Sequence, residues 1–239
     1  ALRDMVEPHL VQLFTLVAAV APTLMPHLDE LLIFDSNPNP QSGEWVIDGE
    51  SSPKQTGTKT FDDDHWRLSF APNGLDRSEL AWLVAHELAH LASLNAEQML
   101  SGIGRDYCAT WYTGTGCLIE DSLLYRYLRN TWPDDVFKAW DDADATSSTK
   151  ARTAAIDTFY EAHKDNFVTR YAASHPFEDF AESFAMWCST PPTARERKAL
   201  PKGKDSDSGS KVEWFSAAKR DVLPAYSAGC AMLQKFAVG

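Results

Sequence analysis

The pentapeptide His86-Glu87-Leu88-Ala89-His90, set in the apolar run from Trp82 to Leu91, constrains this chain more than any other feature. Two imidazoles four residues apart share one face of a helix, where they can grip a single zinc ion while Glu87 reaches a water bound to it. The flanks supply the helix. Asp76 stands three residues before Glu79, a capping-box spacing that starts a helix near Arg77, and nothing breaks it before about Asn95. On a helical wheel Leu80, Val84, Leu88 and Leu91 form one stripe, Ala81, Ala85, Ala89 and Ala92 a second, and the histidines a third. Such a helix is buried on most sides, and its alanine stripe lets a neighbouring helix approach closely. The bland alternative is a core helix whose histidines satisfy local hydrogen bonds and whose Glu87 forms a salt bridge.

A catalytic zinc site usually has three protein ligands and an open position for water. The sequence directly after His90 lacks the Gly and third His of the metzincin pattern, so the third ligand must come from a distant element. The best candidate lies between Tyr171 and Trp187. Pro176 suits the first turn of a helix, Glu178 and Asp179 suit its positive end, and Phe177, Phe180, Phe184 and Trp187 form its apolar stripe. Glu178 and Glu182, four apart, share a face. Glu178 could ligate zinc while Glu182 or Asp179 orients a histidine through its other ring nitrogen, with Glu182 itself the competing choice for third ligand. The bland alternative is that Glu178 only favours the helix dipole and Glu182 is solvated.

His-Glu-x-x-His followed much later by Glu-x-x-x-Glu resembles the gluzincin zinc peptidases. The run Glu178-Asp-Phe-Ala-Glu182-Ser-Phe is similar to the corresponding helix in the catalytic domain of anthrax lethal factor. The resemblance implies a zincin-like α+β fold, zinc held by His86, His90 and Glu178, Glu87 as general base, and an active-site tyrosine seven residues before the ligand glutamate. Tyr171 stands at that spacing. The matching residues cover the two helices and the tyrosine alone, so no substrate preference carries over. On this reading Glu87 takes a proton from the attacking water and passes it to the leaving amine, and Tyr171, or less directly His175, steadies the developing negative charge. A zinc-dependent endopeptidase is expected, acting as a monomer on a polypeptide substrate. A catalytically silent zincin-like binding module and a zinc amidase on a non-protein substrate are the alternatives. The intact Glu87 favours an enzyme.

The rest of the chain fits one domain with two lobes: residues 1–95 with short strands and the zinc helix, and residues 96–239, mainly helical. A helix is expected from Met5 to about Leu24, with strands at Leu31 to Phe34, Glu44 to Ile47, Thr58 to Phe61 and His65 to Phe70. The last of these alternates Trp66, Leu68 and Phe70 with polar residues. Placed just before the zinc helix, it could bind an extended peptide along a free edge, or be an ordinary internal strand. Helices are expected at Ile119 to Asn130, Asp134 to Trp140, Lys150 to His163 and Phe167 to Ala173. Loops are expected from Ser36 to Lys54 and from Ser189 to Lys211.

A net charge of −12 argues against nucleic-acid binding, which needs clustered Lys and Arg; the one basic cluster, Arg195 to Lys204, falls in the expected loop. Four cysteines fit two disulfides, Cys108 with Cys117 and Cys188 with Cys230, against the alternative of four reduced thiols. Two disulfides tilt the expected location to secreted or periplasmic. The apolar run from Leu10 to Ala21 is too short to span a membrane and reads as a structural helix of a mature protein or excised domain.

Overall fold

The computed structural model describes residue 11 and residues 14–33, 49–56, 60–70, 75–189, 207–218 and 224–238. Residues 14–20 are helical and run into a 3-10 turn, Pro22–His27. Strands β1 (Leu28–Ile33), β2 (Gly49–Thr56) and β3 (Thr60–Phe70) then form a sheet in the order β1-β3-β2. β3 pairs parallel with β1 and antiparallel with β2.

This arrangement overturns the idea that the strand before the His86–His90 helix offers a free edge. The two strands expected at Thr58 to Phe61 and His65 to Phe70 are one strand, β3, and it lies in the middle of the sheet. Its second neighbour, β2, sits in a stretch whose Gly, Ser and Pro read as loop. Pro53 falls where the β2 register shifts, on an outer strand, where a missing N–H need not interrupt the ladder. The strand expected at Glu44 to Ile47 and the basic cluster Arg195 to Lys204 lie outside the described residues. Trp66, Leu68 and Phe70 do turn inward, each at most 2% exposed.

Helix α1 (Arg77–Leu94) follows, started by the expected capping box: Glu79 N donates to Asp76 Oδ1 at 2.9 Å and Asp76 N to Glu79 Oε2 at 2.8 Å. Strands β4 (Met99–Ser101) and β5 (Gly116–Leu118) form a hairpin, and helices α2 (Leu123–Thr131), α3 (Asp134–Asp144), α4 (Thr149–His163), α5 (Pro176–Ser189), α6 (Asp207–Ala218) and α7 (Pro224–Val238) complete an α+β fold that is mainly helical after α1. The helix expected at Phe167 to Ala173 is instead an irregular stretch ending in a 3-10 turn, Tyr171–Ser174. The Thr169 hydroxyl accepts from Ala172 N at 3.0 Å, the kind of side-chain bond that competes with a regular helix. The expected loop from Ser189 to Lys211 is corrected at its end, because α6 begins at Asp207.

One hydrophobic core runs from Leu16 to Leu233. α1 lies across it, packed on α5 and α7. Each fully buried leucine of α1 contributes roughly 2 kcal/mol, which helps offset holding ionisable side chains in the interior. Both cysteine pairs are joined as expected: Cys108–Cys117 closes the segment leading into β5, and Cys188–Cys230 ties α5 to α7. At Gly229 of α7 a Cβ would overlap the backbone of Ala19 and Val20, so only glycine lets the 14–20 helix lie against α7.

Candidate metal centre

α1 and α5 cross so that the third stripe of α1 meets the first turn of α5. His86, Glu87 and His90 are buried at 7%, 4% and 8% exposure, an unusual density of ionisable groups for a core helix. His86 Nε2 and His90 Nε2 stand 3.1 Å apart, and Glu178 Oε2 lies 3.2 Å from each. Three donor atoms thus form a nearly equilateral triangle. Ligands placed tetrahedrally at zinc-like distances would be separated by about 3.3 Å. Glu178 Oε2 is buried without a hydrogen-bond partner, an orphan that a cation would satisfy. The donor set fits zinc, and among the described residues these three are the one group of His, Cys, Asp and Glu arranged to hold a metal.

The next layer fixes one of the three donors. His86 Nδ1 shares a 2.7 Å hydrogen bond with Glu182 Oε1, which also accepts from Trp82 Nε1 at 3.2 Å. Glu182 Oε2 accepts from the Thr169 hydroxyl at 2.7 Å. A proton on Nδ1 directed at Glu182 leaves Nε2 as the lone-pair donor. Of the two carboxylates considered for this duty, Glu182 occupies the position. Asp179 turns away, taking bonds on Oδ2 from Tyr127, Trp132 and Lys211.

The electrostatics match a cation site. Burial opposes charge on His86, but Glu178, Glu182 and Glu87 outweigh it and raise the ring to about 10. For Glu178 burial opposes ionisation, and the two imidazoles overcome it and hold the carboxyl well below the usual carboxylate range. Positive charge between these carboxylates is strongly favoured, whether carried by a proton or a metal.

Tyr171, at the head of its 3-10 turn, brings its ring centroid to 5.9 Å from that of His86 while remaining half exposed. Burial of its hydroxyl end, then the negative charge of Glu178, push the phenol well above its ordinary value, so it stays a proton donor. Glu87 acts electrostatically on both His86 and Tyr171, placing its carboxylate among the same groups. His175 is held elsewhere. Its ring stacks on Phe177 at 3.6 Å and packs against Trp140 at 5.0 Å, and burial lowers it to about 4. A neutral ring in an aromatic nest is poorly suited to stabilise an anion.

His86, Glu87, His90, Glu178, Tyr171 and Glu182, all candidates from the sequence, lie together here, and Trp82 and Thr169 join them unannounced. Trp82 was accessible, since it lies one turn before His86 on the same face of α1. Thr169 carried no signal, because its bond to Glu182 depends on how the irregular segment folds back.

A family model described as "putative zinc-binding metallo-peptidase" matches residues 137–200. The matched stretch is well under half of the chain; it holds Tyr171, Glu178 and Glu182 and stops short of the His86–His90 helix. No curated protein and no solved structure matches the chain.

Proposed function

We propose that this protein is a zinc-dependent endopeptidase of gluzincin type, built as a single zincin-like domain with two lobes. The observation that carries the reading is the triangle of His86 Nε2, His90 Nε2 and Glu178 Oε2 with its orphaned oxygen, beside a buried Glu87. The family model, matched over the half of the site that lies on α5, supports the same class. Zinc at this triangle would supply Lewis acidity, lowering the pKa of a water and polarising a substrate carbonyl.

The chain's own groups do the rest. Glu87 accepts the water's proton as its oxygen bonds to the carbonyl carbon, then delivers that proton to the amine nitrogen as the C–N bond breaks. The Tyr171 hydroxyl, kept protonated, donates to the carbonyl oxygen as negative charge develops there. Glu182 holds His86 in one tautomer and orientation, and Thr169 and Trp82 hold Glu182. A free sheet edge for an extended substrate would have to come from an outer strand, β1 or β2, since β3 is paired on both sides.

Two disulfides support a secreted or periplasmic setting. Among the described residues no helix is long and apolar enough to cross a membrane.

The deciding experiment uses Glu87→Gln. Wild-type protein should bind one zinc per chain and cleave an unfolded protein in a chelator-sensitive manner. The variant should keep its zinc and lose roughly 10³-fold or more in turnover. A Glu87→Gln protein with wild-type turnover overturns the mechanism.

A further inference from the structure

One segment borders three recesses lined by the described residues. The stretch from Arg105 to Gly116, most of it inside the Cys108–Cys117 disulfide, contributes Thr113 and Thr115 to a 260 Å³ pocket, Trp111, Tyr112 and Thr113 to a 350 Å³ one, and Trp111 to a third. The first of these opens beside the metal ligands. His90 and Glu178 are part of its lining, and Trp66, Leu94, Met99 and Phe177 make much of the rest apolar.

The hairpin is built to hold that shape. The Thr113 hydroxyl donates to Gly116 O at 3.1 Å and approaches Met99 Sδ at 3.2 Å, so a single side chain ties the turn to the pocket wall. Leu118 N donates to Trp111 O at 3.1 Å, and the disulfide closes the base. A Cβ at position 116 would stand 2.8 Å from Met99 Cγ and 2.9 Å from Met99 Sδ, so glycine there is what lets Met99 line the pocket. Gly114, with φ of +103°, makes the sharp turn that returns the chain.

We propose that the hairpin closed by Cys108–Cys117 is the substrate-selecting wall of this site, and that the pocket it seals against Trp66, Leu94 and Phe177 takes a bulky apolar side chain next to the cleaved bond. The inference rests on the peptidase reading for the words "cleaved bond"; the pocket and its wall stand on geometry. A side chain the size of leucine or phenylalanine would bury against three aromatic or aliphatic walls while its backbone lies beside the metal ligands. Charged side chains would enter an apolar recess without a partner, which disfavours them. Thr115 sits on the exposed rim, so a larger residue there fills the pocket with little demand on the core.

The test measures binding apart from turnover. Zinc-loaded Glu87→Gln protein is titrated by calorimetry with blocked peptides that differ at one position, carrying Leu, Phe, Ala or Asp. Leu and Phe peptides should bind about tenfold or more tightly than Ala, the scale set by a few methylenes in an apolar pocket, and Asp should bind weakest. Adding Thr115→Phe should erase the preference with zinc content unchanged. The Cys108→Ser/Cys117→Ser pair should reduce it, because the wall is no longer closed. Equal binding of Leu and Ala peptides, or a preference that survives both changes, overturns the inference. The same peptides are offered to the wild-type enzyme. Selective binding without any cleavage sinks the peptidase reading and leaves the selecting wall standing. Cleavage without selectivity does the reverse.

Discussion

Glu178 and Asp179 are neighbours in the first turn of α5, yet they face opposite surroundings. Asp179 Oδ2 gathers three donors within 2.9 Å, from Tyr127, Trp132 and Lys211, and the Lys211 ammonium also lies 4.2 Å from the Phe167 ring centroid. Its cation is built into the chain. Glu178 Oε2 has two imidazole nitrogens beside it, and among the described residues no lysine or arginine is ion-paired with it; each carboxylate keeps one buried oxygen without a hydrogen bond, Glu178 Oε2 and Asp179 Oδ1, so the built-in cation is what separates them. Buried charge by itself therefore does not mark a functional site. The distinction lies in whether the protein supplies the counter-charge or leaves lone pairs converging on one point.

The sharpest way to break this comparison is to remove one partner from each cluster. Lys211→Ala should cost about 3–5 kcal/mol of stability, since it strands a fully buried carboxylate, while folded variant should still bind zinc. Glu178→Ala should do the opposite, losing most of the zinc while the zinc-free protein unfolds at a urea concentration close to that of zinc-free wild type. Urea denaturation paired with metal analysis reads both, and zinc loss in Lys211→Ala comparable to that in Glu178→Ala would erase the distinction.

A smaller effect is expected two steps behind the metal-facing groups, at the residue that holds Glu182. Thr169→Val removes the hydroxyl that holds Glu182 and also accepts from Ala172 N. Groups bonded directly to a metal-facing side chain, as Glu182 is to His86, typically matter by 10–100-fold in metal affinity, and for Thr169, one layer further out, the low end, about tenfold weaker zinc binding, is expected by chelator competition. Thr169→Ser should restore most of it; an unchanged zinc affinity in Thr169→Val would show that Glu182 is held without the hydroxyl.

The last effect emerges only in acid and concerns His175, at the head of α5. Burial is the main cause of its low value, with Asp144 and Glu178 pulling it up and Arg152 and His90 pushing it down. A histidine lowered in the folded state keeps its full contribution above about pH 6.5, because neither state is then protonated. As pH falls toward about 4 the unfolded chain takes the proton first, and stability drops by at most roughly 3 kcal/mol. His175→Gln should flatten the urea midpoint between those limits relative to wild type. Identical slopes would place the acid sensitivity in the carboxylate clusters instead.

What could be read from sequence follows the same division. α1, its capping box and the shared face of Glu178 and Glu182 were legible because each is set by local spacing. The pairing of β2 was not, since Gly49–Thr56 is held as a strand by β3 and not by its own composition. α6 was hidden for a related reason. Lys211, which reads as solvent-facing in a loop, is the residue that α6 buries, and only Asp179, 32 positions earlier, explains it. Glu178 could be picked out as a candidate from a pattern; the hydroxyl that holds Glu182 behind His86 could not, because Thr169 reaches Glu182 through an irregular turn.

The bond between Cys188 and Cys230 has a consequence for how the molecule would age among proteases. It encloses every residue between α5 and α7, so a single backbone cut anywhere in that interval leaves two fragments covalently tethered. Nicked and intact chains would then run together on a non-reducing gel and separate only after reduction. Loss of the C-terminal helices from the half that carries Glu178 requires two events, a cut and a reduction.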